Sequence, residues 1–434
     1  MLILRLFQAN KTIYDWGKFM SKIAVLGYGV VGSGTVEVFY KNKDSINKKT
    51  GKDLDIKYIL DLRDFPDSPY ADKFTKDFET IVNDNEIEIV AECMGGTNPA
   101  YKFTKELLQK GKSVVTPNKE LVATKGVELL AIAKANNCNF MFEASVGGGI
   151  PIIRPLHQCL AANKITEIAG ILNGTTNFIL TKMIKEQMSF YDALALAQEF
   201  GYAEKDPTAD VEGHDACRKI CILASLAFGK HVYPERVHTS GISRVTIEDV
   251  EYAESCNCSI KLIGSVKLLD NGKILPIVSA AFVSRDCLIA SVDDVFNAIL
   301  VKGDAVGDVL FYGRGAGKLP TASAVVADII DVAKAERTSI SQYWETSDDY
   351  NFIESYKLVE TAMYIRVSSD DLLHTRKKID DLFGEIKILE KKEKTDNEIA
   401  FITPVMVEKD IVEKINELEL SGANVIGKIR ILDI

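Results

Sequence analysis

A glycine-rich turn directly after a short apolar stretch is the feature that most constrains this chain. The segment KIAVL at 22–26 predicts a buried strand, and GYGVVG follows it at 27–32, where helical spacing begins. Gly27 permits the tight turn, Gly29 lets backbone approach a pyrophosphate, and Gly32 allows close packing of helix and strand. This context favours a dinucleotide-binding βαβ unit, although glycines that serve only a tight crossover are an alternative.

The predicted cofactor contacts extend beyond the glycines of the turn. The helix that follows offers free backbone N–H groups and its positive dipole end to phosphates, so Val30 and Val31 join the predicted site. Gly95, in the third strand segment EIVAECMGG, is assigned to the same site. The choice between NAD and NADP stays open, because Asp61 and Arg63 both follow the second strand. An acidic residue there favours NAD, and an arginine accommodates a 2′-phosphate.

The order of strand-like and helix-like segments predicts an α/β fold with more than one domain. Alternation from Lys22 to about Phe142 is typical of a Rossmann-like, doubly wound parallel sheet. The βαββαβ order near the C-terminus is that of a ferredoxin-like unit. The predicted segments are an N-terminal extension that is disordered or wrongly assigned (1–19), a cofactor domain (20–147), an α+β domain (148–336), a polar linker (337–355) and a ferredoxin-like domain (356–434). A helix from GRGAGKLPTASAVVADII is expected to return to the cofactor domain.

Composition excludes several classes of protein. The formal net charge of −10 argues against nucleic acid or an anionic membrane as a partner. No apolar run reaches the roughly 18 residues that a membrane span needs. The eight cysteines match neither a disulfide framework nor a zinc site. The sequence therefore predicts reduced thiols in a cytoplasmic protein.

The segment GYAEKDPTADVEGHDACRKI, at 201–220, places charged side chains ahead of an apolar helix. At 100° per residue, Asp215 and Lys219 share a face with Ile222 and Leu226. The polar residues occupy one narrow wedge: His214, Arg218 and Ser225. The helix is thus apolar nearly all round and is predicted to be buried. An exposed i,i+4 pair worth about 0.3–0.5 kcal/mol is the alternative, but the apolar face favours a pair that points into a cleft. An inward lysine with a lowered pKa suits proton transfer.

Three long motifs in this order resemble the homoserine dehydrogenase family: ILNGTTNFIL (171–180), GYAEKDPTADVEGHDACRK (201–219) and GRGAGKLPTASAVVADI (313–329). The segment after Ser355 resembles the ACT regulatory domain. The resemblance implies NAD- or NADP-dependent interconversion of L-aspartate 4-semialdehyde and L-homoserine, on the route to threonine and methionine. It also implies that 148–336 is a catalytic and dimerisation domain, in a homodimer or homotetramer.

The resemblance assigns roles to charged residues from two separate motifs. Lys219 looks like the acid/base for the carbonyl oxygen. Asp215 and Glu204 would bind the substrate's amino group and hold geometry. Lys119, in VVTPNK, matches a lysine beside the nicotinamide and the substrate. In the remainder of the acidic segment, Asp206 and Glu212 are expected to be surface or loop charges, and Asp210 is either a helix cap or a support for the site.

Smaller motifs have both a functional and a plainer interpretation. Asn173 and Thr175 would form a wall of the substrate site, or merely a turn and helix cap. Gly315 would approach the cofactor, or serve packing. The loop EASVGGGI matches one that holds a monovalent cation, Na⁺ or K⁺, through backbone oxygens around Glu143, Val146, Gly148 and Ile150.

Two further functions and one regulator stay open on the sequence alone. A regulatory protein with an inactive dehydrogenase core is one alternative, and a dehydrogenase acting on another amino-acid-derived aldehyde is the other. Covalent aldehyde oxidation is disfavoured, because Cys93 has no neighbouring histidine. Threonine is the implied effector of the tail. Its first strand is followed by SSDDLLH, however, without the proline or glycine turn common in ligand-binding ACT domains.

Overall fold

The computed structural model describes residues 21–335, 344–346, 350–391 and 397–432. The predicted N-terminal extension, 1–19, lies outside the described residues, and so does much of the predicted linker. Within the described ranges, no helix is both long enough and apolar enough to cross a membrane.

The N-terminal part of the chain forms a parallel sheet flanked by helices. Its strands are β1 (Lys22–Leu26), β2 (Asp55–Leu60), β3 (Phe74–Thr75), β4 (Ile87–Glu92), β5 (Ser113–Val115) and β6 (Phe140–Met141). Its helices are α1 (Val30–Lys41), α2 (Lys43–Thr50), α3 (Glu79–Val82), α4 (Asn98–Gln109) and α5 (Lys119–Ala135). The strand order is β3-β2-β1-β4-β5-β6, and every pair is parallel. This is the doubly wound dinucleotide-binding order, with its switch point between β1 and β4, so the prediction of a Rossmann-like sheet is confirmed.

Two predicted elements of this sheet differ from the structure. The segment FETIVNDNEI yields only the short helix α3, and NFMFEAS yields only the two-residue strand β6. The predicted strand KSVVTPNK stops at Val115, and Lys119 is instead the first residue of α5. The reason is local, because the Asn118 side chain accepts a hydrogen bond from the Leu121 N–H and so caps the new helix.

The middle of the chain packs helices on a mixed sheet. The helices are α6 (Gly174–Glu186), α7 (Phe190–Glu199), α8 (Thr208–Val211), α9 (His214–Phe228), α10 (Ile247–Ser255) and α11 (Lys318–Lys334). The strands are β7 (Ile165–Ile171), β8 (His238–Thr239), β9 (Cys258–Leu268), β10 (Ile274–Ser284), β11 (Phe296–Gly303) and β12 (Gly307–Arg314). Helix α11 packs on α1 of the first domain, where a Cβ atom at Gly34 would lie 2.8 Å from the Lys318 oxygen. The last helix of this region thus completes the core of the cofactor unit.

The C-terminal elements continue the same sheet. They are β13 (Glu360–Ser368), α12 (Leu372–Phe383), β14 (Lys387–Leu389), β15 (Glu398–Ile402), β16 (Met406–Val407), α13 (Glu408–Leu420) and β17 (Asn424–Leu432). The full order is β12-β11-β7-β9-β10-β17-β13-β15-β14, with β8 on β10 and β16 on β13. Strand β17 pairs in parallel with β10 from Ala281 to Val283. The tail therefore has the predicted ferredoxin-like order, but it is joined to the middle domain by backbone hydrogen bonds.

Helix α9 is buried on nearly all sides, as its apolar pattern predicts. Asp215 and Lys219 are 3% and 7% exposed, so the interpretation as a solvated surface pair is wrong. Ser225 corrects the predicted polar wedge, because it is 1% exposed. Its hydroxyl donates to the Cys221 carbonyl and accepts from the Val232 N–H, which satisfies it inside the core.

Candidate active site

A lysine–aspartate–lysine cluster joins the two domains at the C-terminal edge of the parallel sheet. Asp215 receives Lys119 Nζ at 2.8 Å on one carboxylate oxygen and Lys219 Nζ at 2.8 Å on the other. Lys119 starts α5 of the cofactor unit, while Asp215 and Lys219 lie on α9 of the middle domain. Residues predicted from two separate motifs therefore meet in one ion-pair network across the domain boundary.

Lys219 retains hydrogen-bonding capacity although it is buried. Its ammonium group donates to the Leu172 carbonyl at 2.7 Å and to Asp215 Oδ2 at 2.8 Å. An ammonium group has three donors, and no further acceptor for Lys219 lies among the described residues, so the third donor can meet a ligand oxygen. The Lys119 side chain is 41% exposed and closes the accessible side of the cluster.

Asn173 links this cluster to a second carboxylate. Its amide nitrogen donates to Asp210 Oδ1 at 2.7 Å and to Asp215 Oδ2 at 2.8 Å. Its amide oxygen accepts from the Thr176 N–H and caps α6. The cap and the site are thus two functions of one side chain. Asp210 supports the cluster through Asn173, whereas Asp206 accepts from Thr208 in an exposed loop.

The cluster displaces the pKa values of its members in different directions. Burial alone would raise the pKa of Asp215, but the charges of Lys219 and Lys119 hold it well below its usual value. Burial lowers the pKa of Lys219, against the opposing attraction of Asp215. Attraction to Asp215 raises the pKa of the more accessible Lys119. Burial, reinforced by the charge of Asp215, raises the pKa of Asp210. The buried lysine is therefore the more readily deprotonated of the two.

Glu204 occupies a different position from the inward one inferred from the sequence. Its side chain is exposed, in a loop whose Tyr202 carbonyl accepts a 2.6 Å hydrogen bond from Thr175 Oγ1. Tyr202 also packs edge-on against Phe178 at 5.1 Å. Since Thr175 follows Asn173 by two residues, the loop is anchored beside the cluster. Glu204 is thus placed at the rim, where the loop that carries it meets the start of α6.

The glycine turn has the shape that a dinucleotide requires. Gly27 adopts φ +89°, and a Cβ atom at Gly32 would overlap the carbonyl oxygen of Gly27. A Cβ at Gly29 or at Gly95 would meet no atom within 4 Å, so both face open space. Helix α1 begins directly after Gly29 and directs its N-terminus into that space. These residues fit a bound NAD(P).

The residues after β2 form a compact ion pair beside this turn. Asp61 accepts from the Tyr28 N–H at 2.8 Å and pairs with Arg63 at 2.9 Å. The Arg63 side chain is 62% exposed, whereas that of Asp61 is 10% exposed. Hydrogen bonds from Arg63, and then from backbone N–H groups, hold the pKa of Asp61 far below its usual value despite burial. The carboxylate is engaged by protein donors, and the guanidinium is the group that faces solvent.

Two polar residues that sequence reasoning missed hold Lys119 in place. Asn118 caps α5 and donates from its amide to the Gly96 carbonyl at 2.7 Å. Thr116 Oγ1 donates to the fully buried Glu92 at 2.6 Å, and Glu92 also accepts from the Met94 N–H. Burial raises the pKa of Glu92. The available signal was an asparagine directly before a helix together with an acid at the end of an apolar strand.

The predicted cation loop contains carbonyl oxygens suited to a hard cation. The Glu143 carboxylate is buried and accepts from the backbone N–H groups of Ile152, Ile153 and Arg154, so it is already satisfied. The remaining predicted positions are buried, and in the described part of the chain their carbonyl oxygens accept no hydrogen bond: Val146, Gly148 and Ile150. Oxygen ligands of this kind fit Na⁺ or K⁺. Among the described residues, no group of three or more His, Cys, Asp or Glu side chains could hold a metal ion.

Gly315 is tightly packed, which supports the plainer of its two interpretations. A Cβ atom there would overlap the Asn297 amide, and one at Gly148 would overlap the Gly315 carbonyl. The Gly149 N–H donates to the Arg314 carbonyl at 3.1 Å. The cation loop and the GRGAGK segment therefore lie in direct backbone contact, and a cofactor role for Gly315 stays a prediction.

The sheet order and the open glycine turn at its switch point define a dinucleotide-binding unit, and the lysine–aspartate–lysine cluster at its boundary with the middle domain indicates an NAD(P)-dependent oxidoreductase. Comparison with known proteins agrees and is more specific. Residues 27–143 match the family model for the homoserine dehydrogenase NAD-binding domain, and residues 151–330 match that for homoserine dehydrogenase. The homoserine dehydrogenase of Bacillus subtilis is 37% identical over 415 residues, which covers 92% of this chain and 95% of that protein. The chain belongs to the homoserine dehydrogenase family.

Solved structures extend this likeness to three dimensions. A homoserine dehydrogenase from Thiobacillus denitrificans superposes with a TM-score of 0.86 at 38% identity, covering 95% of this chain and 98% of that one. A hyperthermophilic archaeal homoserine dehydrogenase in complex with NADPH gives a TM-score of 0.61 at 29% identity, covering 72% of this chain and 97% of that one. The predicted family and the predicted NAD(P) cofactor are thereby confirmed.

Proposed function

We propose that the lysine–aspartate–lysine cluster carries out the family's reaction in this chain, the reversible reduction of L-aspartate 4-semialdehyde to L-homoserine. One observation carries the proposal. Asp215 is held between two ammonium groups, Lys119 and Lys219, that come from the cofactor unit and the substrate unit. A carbonyl oxygen placed between these groups would lie beside the cofactor cleft.

Charge development at that oxygen explains why two lysines are needed. The nicotinamide, when bound, supplies or accepts the hydride at the carbon atom of the substrate. Hydride addition to an aldehyde leaves negative charge on oxygen, which a preorganised cation stabilises in a site of low dielectric. The free N–H of Lys219 delivers the proton to that oxygen, and neutral Lys219 accepts it in the reverse direction. Lys119 stays protonated, because Asp215 raises its pKa, and so supplies constant positive charge.

The acidic residues have separate tasks in this proposal. Asp215 anchors both lysines, since each of its oxygens already accepts an ammonium group. Glu204 at the rim supplies negative charge for the substrate's α-ammonium group, and Asn173 and Thr175 position the wall between them. This arrangement favours an active enzyme over a regulatory protein with an inactive core, because every charged member of the cluster is present and paired.

The proposal is tested by following absorbance at 340 nm with homoserine and NAD⁺ or NADP⁺, and with aspartate semialdehyde and the reduced cofactors. We expect turnover by the wild type and, for Asp215→Asn, a fall in kcat of about 10²–10⁴. Glu204→Gln is the informative partner variant, because loss of ammonium binding raises the KM for substrate more than it lowers kcat. Absence of turnover in the wild type contradicts the proposed activity. A normal kcat in Asp215→Asn contradicts a catalytic role for the cluster.

The cation, the quaternary structure, the effector and the location are expectations that accompany this proposal. The carbonyl oxygens of Val146, Gly148 and Ile150, which accept no hydrogen bond from the described residues, support Na⁺ or K⁺ binding, which activity measurements in choline buffers would test. Light scattering would distinguish a homodimer from a homotetramer. Eight free cysteines are consistent with a cytoplasmic location.

Threonine inhibition requires the βαββαβ tail to bind an amino acid. After β13, Asp371 caps α12 by accepting from the His374 N–H, in a turn without glycine. Titration of activity with threonine to millimolar concentration tests this part, and unchanged activity excludes it.

A further inference from the structure

One buried tryptophan from the segment between the middle domain and the tail lies at the seam between the cofactor unit and the substrate unit. Trp344 is 1% exposed, although it belongs to the region predicted as a polar linker. Its backbone neighbour Glu345 forms a parallel bridge with Lys230, donating to the Gly229 carbonyl and accepting from the His231 N–H at 2.9 Å. The segment is therefore fastened directly after the end of α9.

The indole ring of Trp344 contacts the cofactor unit on its other side. A Cβ atom at Gly126, on α5, would lie 3.0 Å from Trp344 Cζ2, so a larger residue there requires the indole ring to shift. The ring also meets Phe142 edge-on, with centroids 5.5 Å apart. Phe142 directly precedes Glu143 and the predicted cation loop. One side chain thus spans the boundary between the two domains.

A hydrogen bond to a histidine fixes the orientation of the Trp344 ring. The indole N–H of Trp344 donates to His231 Nδ1 at 2.8 Å, and the two rings lie nearly parallel. Burial lowers the pKa of His231 to about 4, while the backbone of Ala123 on α5 opposes that shift. His231 is therefore neutral at physiological pH, with Nδ1 as the acceptor. The Trp344–His231 pair joins the end of α9 to the side of α5.

Helix α5 and the end of α9 meet at Trp344, and these two helices carry the lysine–aspartate–lysine cluster. Lys119 is the first residue of α5, seven residues or about 10 Å of helix before Gly126. Asp215 and Lys219 lie on α9, whose C-terminal end adjoins His231. Helices α5 and α9 also pack along each other. Trp344 therefore contacts α5 and His231, just after the end of α9, and the packing of these two helices sets the distance across the Lys119–Asp215 pair.

We propose that Trp344 is a positioning residue for hydride transfer, which sets the closure of the cofactor unit on the substrate unit. The inference rests on the proposed function of the lysine–aspartate–lysine cluster. It assigns to residues 344–346, the described residues of this stretch, a part in the geometry of the active site.

Gly126→Ala and Trp344→Phe test the contact from its two sides. Alanine improves helix propensity by about 1 kcal/mol, so Gly126→Ala is not expected to unfold α5, but its methyl group displaces the indole. Trp344→Phe keeps an aromatic ring in the seam and removes the donor to His231. Thr124→Ala, on another face of α5, is the matched control for helix propensity. Phe383→Leu, in the core of the tail, is the control for loss of a buried aromatic side chain.

We expect both seam variants to lower kcat about tenfold, because small misplacements of reacting groups are costly. The KM for NADPH should stay within about twofold, and the isotope effect with 4-deuterated NADPH should rise as hydride transfer becomes slower relative to other steps. The controls should leave kcat and the isotope effect unchanged. Amide exchange gives a readout without turnover, since the first turn of α5 should exchange faster in Trp344→Phe.

The outcomes separate this inference from the proposed function. An active wild type with normal kcat, isotope effect and α5 exchange in both seam variants overturns the positioning role alone. A parallel loss of kcat, cofactor affinity and melting temperature in the seam variants and in Phe383→Leu also overturns it, because general destabilisation then explains the data. An inactive wild type contradicts the proposed function, while the exchange experiment still decides whether Trp344 orders the start of α5.

Discussion

Two buried clusters of charged residues each join distant parts of this chain. The pKa of the central aspartate is shifted in opposite directions in the two clusters. In the lysine–aspartate–lysine cluster, Asp215 faces two lysines, and its pKa is lowered although it is buried. In the junction cluster between α10 and the tail, Asp249 meets Arg366 at 3.1 Å, and burial raises the pKa of Asp249 against the attraction of that arginine. The number of cations for each carboxylate, more than depth of burial, decides the direction of the shift.

The clusters also differ in access and in spare hydrogen-bonding capacity. The Arg366 side chain is 6% exposed and is shared between Asp249 and Glu398, with Tyr364 Oη also donating to Asp249 at 3.0 Å. A Cβ atom at Gly427 on β17 would lie 2.8 Å from Asp249 Oδ1, which leaves no space for a ligand. The lysine–aspartate–lysine cluster, in contrast, has the partly exposed Lys119, and among the described residues the third donor of Lys219 has no acceptor. Under the proposed function, similar side chains thus serve reaction in one cluster and attachment of the tail in the other.

The largest expected effect concerns activity. Lys219→Met should lower kcat/KM by about 10²–10⁴, because the proton donor is lost. Removing one partner of a buried ion pair is destabilising, but Asp215 keeps Lys119 and Asn173 as partners, so the loss of stability should be smaller than for a carboxylate left without any cation. Lys182→Met is the matched control, because Lys182 also forms an i,i+4 pair, with Glu186 at the C-terminal end of α6, but does not contact the cluster. Unchanged activity in Lys219→Met contradicts the comparison.

The next effect concerns the free energy of unfolding and not the catalytic rate. Arg366→Met should lower the free energy of unfolding by about 3 kcal/mol at neutral pH, since it leaves Asp249 and Glu398 without their shared cation. The loss should be smaller in acid. A carboxyl group whose pKa is raised in the fold contributes stability at low pH and loses it as pH rises. Arg376→Met removes an exposed pair with Asp380 and should cost no more than about 1 kcal/mol. Urea unfolding at two pH values measures the loss of stability in both variants. Equal losses would refute the prediction that the buried ion pair contributes more to stability than the exposed one.

A third effect is seen in the pH dependence of activity. Burial lowers the pKa of Lys219, so kcat for homoserine oxidation should rise with pH and level off below about 10.4, the ordinary lysine value. Aspartate semialdehyde reduction should show the reverse slope, because it needs the protonated form. Lys219→Arg should abolish the inflection, since arginine does not titrate in this range. A Lys219→Arg profile with the same inflection as the wild type would argue against Lys219 as the acid/base.

The smallest effect concerns cofactor choice. Arg63 is exposed and held by Asp61 at the end of β2, where it would face a 2′-phosphate. Arg63→Ala should raise the KM for NADPH about threefold to fivefold, as expected for an exposed ion pair, and leave that for NADH unchanged. Arg285→Ala, which removes a comparably exposed pair with Glu254, is the control. An equal change for both cofactors would place the 2′-phosphate elsewhere.

The features of this protein that follow from short-range pattern could be predicted from the amino-acid sequence. The GYGVVG turn followed by a helix, the alternation of strands and helices, and the apolar spacing around Asp215 and Lys219 are local signals. Local sterics and helical periodicity act within a few residues, so they can be read from one chain. The Asp215–Lys219 pair was predicted for the same reason, because an ion pair on an otherwise apolar face conflicts with solvent exposure, whereas Lys119 was assigned through the family resemblance.

Which distant residues are in contact depends on the tertiary structure. Trp344 was placed in a polar linker, since the residues around it lack periodicity, yet it fills the space above Gly126. The tail was expected to be independent, but the edge of β17 pairs with β10 from Ala281 to Val283. Glu204 was expected to point inward and lies at the rim. Such contacts depend on how whole domains dock, and docking is decided by long-range packing and edge pairing that no short segment encodes.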